Sequence, residues 1–134
     1  MPAQRTLRKV APCTGIGLHS GQKVSISLKP APADFGIRFY RADLGVEIPA
    51  HVSCLGGAQQ LQTGLRKQNA SVETVEHLLS ALRSLGVDNA LIELNQAEVP
   101  IMDGSAAPWV YLIQSAGTKE LGASRKTIEI LSSV

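Results

Sequence analysis

Val24, Ile26 and Leu28 alternate with Ser25 and Ser27, the period of two that marks a strand with one buried face. Pro30 and Pro32 end that pattern within 29–34, because proline withholds a backbone donor. Residues 36–41 (GIRFYR) and 46–52 (VEIPAHV) read as two further short strands, the second with a proline suited to a sheet edge. The stretch 55–70 (LGGAQQLQTGLRKQNA) is polar and carries glycines, which predicts a hairpin or mobile loop outside the core.

The period then changes. Val72, Val75, Leu78, Leu79, Leu82 and Leu85 form one stripe of a 3.6-residue repeat, predicting a helix over 72–85 with Leu79 in the core. Ser71 suits its N-cap, Glu73 and Glu76 its first turns, and Gly86 its stop. Residues 90–94 (ALIEL) read as a strand. Ser105 can cap a second helix over 105–116, with Pro108 in the first turn and Gly117 as its end. A short strand over 127–131 finishes the chain.

Strands, helix, strand, helix, strand predicts an α+β fold: a two-layer sandwich with a mixed or antiparallel sheet and two helices on one face. The second helix (AAPWVYLIQSA) is apolar on nearly every side, so its outer side is expected to need a further cover.

Composition narrows the function classes. At 134 residues the chain reads as one domain, 1–134, with no repeat or linker. It is 44% apolar and 18% charged, which excludes a disordered tail, a collagen or a coiled coil. Thirteen basic against 11 acidic residues leave a net charge of +2, and the basic residues are scattered, which argues against nucleic acid as a partner. Cys13 and Cys54 make neither a disulfide framework nor a C-x-x-C pair. The opening MPAQRTLRKV lacks the apolar run of a signal peptide, and no stretch approaches a membrane helix. A reduced, soluble, cytoplasmic domain is the expectation.

Several residues could carry chemistry. His51 lies in a strand-like segment and reads as structural, and His19 lies in a glycine-punctuated turn, TGIGLHSG (14–21). Glu76 and His77 fall away from the apolar stripe, with Glu73 and Ser80, and adjacent helical positions diverge by about 100°. They can be a solvated face, or they can flank a metal whose bound water the carboxylate deprotonates. Asp103-Gly104-Ser105 is either an ordinary turn and cap or an anion site at a helix start.

The stretches TGIGLHSG (14–21), SLKPAPADFGIRFYRADL (27–44), TVEHLLSALRSLGVDNALIEL (74–94) and EVPIMDGSAAPWVYLIQSAG (98–117) settle the direction. In this order they resemble the N-terminal half of the UDP-3-O-acyl-N-acetylglucosamine deacetylases, the zinc amidases of lipid A biosynthesis in Gram-negative bacteria. The resemblance implies hydrolysis of an acetamide to acetate and a free amine on a UDP-linked acyl-glucosamine. It implies Glu76 as general base, His77 as a zinc ligand, Asp103 as a support behind the metal site, and His19 near it. Leu61, Gln62 and Thr63 are implied to line the substrate site.

The family also implies a second domain of similar fold. That domain brings a histidine and an aspartate of an H-K-x-x-D motif to the zinc, and the motif is absent from these 134 residues. Catalytic zinc takes three protein ligands and a water, so this chain alone is expected to be inactive. The family packs its helices between two outer sheets, which implies that helices 72–85 and 105–116 meet either a complementing C-terminal domain or a second copy in a homodimer. A non-catalytic paralogue that binds substrate, acyl chain or full-length enzyme is the alternative. A remote third is a metal site built across a two-fold axis from His77, His19 and an acid.

Overall fold

The computed structural model describes residues 2–50, 64–67 and 70–125. In chain order these form β1 (Ala3–Leu7), β2 (Ala11–Ile16), β3 (Lys23–Pro30), β4 (Ile37–Arg41), β5 (Val46–Pro49), β6 (Gly64–Lys67), β7 (Ala70–Glu73), α1 (Glu76–Ser84), β8 (Ala90–Leu94), α2 (Ala107–Ala116) and β9 (Thr118–Ser124).

The main sheet has the order β2-β3-β8-β4-β5, antiparallel throughout except for the parallel pair β4 and β8. Its alternation is clean. Val24, Ile26 and Leu28 of β3, Ile92 and Leu94 of β8, Phe39 and Ile48 turn inward and are almost fully buried. The opposite face carries the Lys29–Glu93 and Arg38–Glu47 ion pairs, as expected for a sheet wet on one side. Leu78, Ala81 and Leu82 of α1 and Trp109 and Ile113 of α2 fill the inner side and join the same core. The predicted α+β architecture is therefore present, with both helices on one face.

Three strands lack the apolar alternation that sequence reasoning relies on. The less exposed positions of β2 are Ala11, Cys13 and Gly15, too small to make a stripe. In β1, two of the buried residues are Gln4 and Thr6. They are satisfied by hydrogen bonds: Thr6 donates to the Asn89 carbonyl at 2.7 Å, and Asn89 donates to Gln4 at 3.0 Å. β9 is mostly exposed and, among the described residues, pairs only with β1.

The first helix begins at Glu76, not at 72. Ser71 is no cap: α1 has no side-chain cap, and Ser71 lies in β7, its carbonyl accepting from the Arg41 guanidinium at 2.8 Å. Val72, Thr74 and Val75 are β-branched and fit a strand better than a helix start. Val72 pairs with Leu65 of β6, both buried, so part of 55–70 is core after all, within a β6–β7 hairpin. Glu73 accordingly lies on a strand, not on the polar arc of α1. Leu79 is only partly buried. Gly86 does end the helix region, at φ +74°.

In α2 the cap position is Ala106, one residue past the predicted Ser105, while Pro108 and Gly117 sit as expected. Its outer side is less apolar than the sequence suggests. Val110 and Leu112 lean on the core, leaving Tyr111, 71% exposed, as the large apolar side chain that faces outward. The predicted strand over 127–131, His51, Cys54 and the candidates Leu61, Gln62 and Thr63 lie outside the described residues.

Candidate active site

One segment, 97–102, gathers the motifs. Its Val99 N–H donates to the Glu73 carbonyl at 3.0 Å, and the Glu73 N–H donates to the Ala97 carbonyl at 2.7 Å. On the other side Gly17 bridges Pro100, and the Ile101 N–H donates to the Ile16 carbonyl at 2.9 Å. The turn of TGIGLHSG, the entrance to α1 and the MDGS turn are thereby stitched to this one segment. Gly15 is needed for that approach, since a Cβ there would lie 2.7 Å from the Pro100 Cβ.

Two non-glycine residues beside the motifs are left-handed. Thr74, at φ +62°, precedes α1, and Met102, at φ +56°, precedes Asp103. A β-branched residue there costs on the order of 1–3 kcal/mol, a strain that marks functional turns more often than ordinary ones. Thr74 turns the chain out of β7 and into the helix that carries Glu76 and His77.

Glu76 opens α1, where an acid is favoured by the helix dipole, and its side chain is exposed. It borders an open groove of about 250 Å³ with Leu79, Ser80 and Arg83. His77 is half-buried. Asp103 is exposed, and its Oδ1 accepts from the Ser105 hydroxyl and N–H. Those two bonds hold its carboxyl below the ordinary aspartate range against a small opposing effect of burial, and the charge of nearby His77 lowers it further.

His19 is exposed and held through its backbone. No hydrogen bond or ion pair links its ring to Glu76, His77 or Asp103 among the described residues. The group that does hold it, Glu98, was assigned no role from the sequence. Glu98 is 4% exposed and accepts from the N–H groups of His19 and Ser20 and from the Thr74 hydroxyl. Burial pushes its carboxyl up, but those donors and the His19 charge outweigh burial and leave it below the ordinary glutamate value. The available signal was an acid set among Ala97, Val99 and Pro100, where burial is hard to avoid.

Burial raises the pKa of the Cys13 thiol, away from the low values of a reactive cysteine. No group of three or more metal-ligating side chains occurs among the described residues. His77 and Asp103 fall short of the three donors of a catalytic zinc site, so the described residues by themselves do not fit a complete one. No described helix is long and apolar enough to cross a membrane.

The class follows from comparison with known proteins. The model of the UDP-3-O-acyl N-acetylglycosamine deacetylase family matches residues 4–134, and the chain belongs to that family. Among particular proteins, the UDP-3-O-acyl-N-acetylglucosamine deacetylase of Pseudomonas entomophila (strain L48) is 55% identical over 136 aligned positions. The match takes in 100% of this chain and 45% of that protein, so the chain spans less than half the length of its relative.

Proposed function

We propose that the chain supplies the N-terminal half of a zinc-dependent deacetylase that hydrolyses the acetamide of UDP-3-O-acyl-N-acetylglucosamine in the cytoplasmic synthesis of lipid A. What supports this reading is the 55% identity to such a deacetylase along the whole of this chain, with the stretches that carry Glu76–His77 and Asp103 tied to one segment, 97–102. Residues 1–134 act as one unit within this proposal.

Glu76, exposed and unencumbered, takes the proton of the attacking water and returns it to the leaving amine, giving acetate and a free amine. His77 offers one imidazole to zinc, a Lewis acid that would polarise the amide carbonyl, and the remaining ligands come from outside the described residues. Asp103 holds its negative charge beside His77 and so favours one orientation of the ring. His19 borders the site from the opposite turn, and Leu61, Gln62 and Thr63 contribute to substrate contacts.

The outer side of the helices, with Leu79, Arg83 and Tyr111, is where the complementing half docks. A second copy of the chain is the alternative occupant of this face, where Tyr111 is 71% exposed.

The test is acetate release from the UDP-linked substrate by the chain alone, and after mixing with the C-terminal part of the Pseudomonas relative. No turnover alone and restored turnover with zinc on mixing is the expected result. One tightly bound zinc per isolated chain, or a stable but inactive mixture, overturns the reading. Sizing of the isolated chain separates a second copy from a complementing half.

A further inference from the structure

Glu98 is a carboxylate withdrawn from water, and nothing in the proposed chemistry uses it. Buried acids persist only where hydrogen bonds replace hydration. Here the replacement comes from two distant parts of the chain. Oε1 accepts from the N–H of His19 and from that of Ser20, each at 3.1 Å. Oε2 accepts from the His19 N–H at 2.8 Å and from the Thr74 hydroxyl at 3.1 Å.

The surroundings are shaped for this arrangement. A Cβ on Gly17 would lie 2.5 Å from Oε1, so only glycine lets the carboxylate settle into the turn. On the opposite side the bonded residue, Thr74, is the left-handed one that redirects β7 into α1. Its hydroxyl bond to Glu98 helps hold a conformation that a β-branched residue otherwise avoids. The same carboxylate therefore fixes the turn bearing His19 and the bend that launches Glu76 and His77.

We propose that Glu98 is the positioning residue of the site, setting His19 and the Glu76–His77 pair in one fixed relation through its simultaneous hold on the His19–Ser20 turn and Thr74. The proposal rests on the functional reading only in treating Glu76 and His77 as the working pair. The placement itself is a property of this chain without zinc or substrate.

Glu98→Gln keeps the shape but turns one oxygen into a donor that faces N–H or hydroxyl donors. In the ¹⁵N-labelled 134-residue chain, amide exchange at His19 and Ser20 is expected to quicken by about tenfold or more, the scale of one lost hydrogen bond to a charged group. The ring resonances of both His19 and His77 are expected to move, while the indole N–H of Trp109, buried in the core, stays in place. Thr74→Val removes only the Thr74 bond and is expected to move the His77 ring, whereas Thr74→Ser keeps the hydroxyl and leaves it unmoved. A lower melting temperature with both imidazoles unchanged makes Glu98 a structural clamp only and overturns the proposal. If Glu98→Gln fails to fold, an unmoved His77 ring in Thr74→Val does the same. Since no step uses zinc or substrate, a mixture with the C-terminal part that stays inactive counts against the deacetylase reading alone.

Discussion

Oδ1 of Asp103 accepts both the N–H of Ser105, at 2.9 Å, and its hydroxyl, at 2.7 Å. One oxygen thus organises the turn before α2, and the carboxylate keeps the charge that the proposed function sets against His77.

These two duties can be separated. Asp103→Asn keeps an amide oxygen for Ser105 but removes the charge. We expect it to fold with a stability change within about 0.5 kcal/mol, as for other exposed sites. Turnover in the reconstituted enzyme should fall by roughly 10–100-fold, the usual loss when a partner behind a metal ligand is removed. Ser105→Ala removes the hydroxyl donor and keeps the backbone N–H and the charge, so it should loosen the turn with a smaller effect on rate. Equal losses from both variants would assign Asp103 to the turn alone.

Glu76→Gln tests the proposed base. The side chain is exposed, and its folded-state contribution is its favourable place at the start of α1, about 0.3–1 kcal/mol. Loss of a general base costs about 10²–10⁴-fold in rate. A urea titration close to that of the unaltered chain, together with a fall of that size in reconstituted turnover, is expected. Collapse of the fold would place the residue in the structural framework instead.

Much of this arrangement is legible in the sequence, and the failures have identifiable causes. β3, β4 and β8 alternate large apolar with polar residues and are read correctly. β2 turns Ala11, Cys13 and Gly15 inward and β1 buries Gln4 and Thr6, so neither leaves an apolar trace. Val72 and Val75 match a helical spacing by coincidence, while their branching and the pairing of Val72 with Leu65 make the first a strand residue. Of the proposed site, Glu76, His77 and Asp103 are candidates from the sequence because the motifs name them. Glu98 is not, because its value lies in contacts to His19, Ser20 and Thr74 that only the folded chain brings together.

The revised start of α1 gives a stability prediction. Leu78 is fully buried, whereas Leu79 is partly exposed and borders the outer grooves. Leu78→Ala should cost about 2–5 kcal/mol in chemical denaturation, the range for a core leucine whose cavity does not collapse. Leu79→Ala should cost clearly less. Under the helix phase expected from sequence alone, the two losses would be alike. If the complementing half docks over the outer side, Leu79→Ala should instead weaken that association.

Acid should weaken the fold partly through Arg41 and Asp43. Arg41 is 7% exposed, and its guanidinium meets Asp43 at two points, 3.0 Å and 2.7 Å, while a third N–H reaches the Ser71 carbonyl at 2.8 Å. The Arg41 hydrogen bonds and charge hold the Asp43 carboxyl below its ordinary value, against a smaller upward push from burial. A lowered folded-state pKa means that the unfolded chain takes up the proton first. The stabilising contribution is therefore fully present above the ordinary aspartate value of about 3.9 and disappears as pH falls through the lower folded value. Asp43→Asn cannot show that loss. Urea midpoints measured from pH 7 down to about pH 2 should start lower for Asp43→Asn than for the unaltered chain, and the gap should narrow below about pH 4. A gap that stays constant across the range would mean that Asp43 stabilises Arg41 by shape and neutral hydrogen bonding, with its charge playing no part.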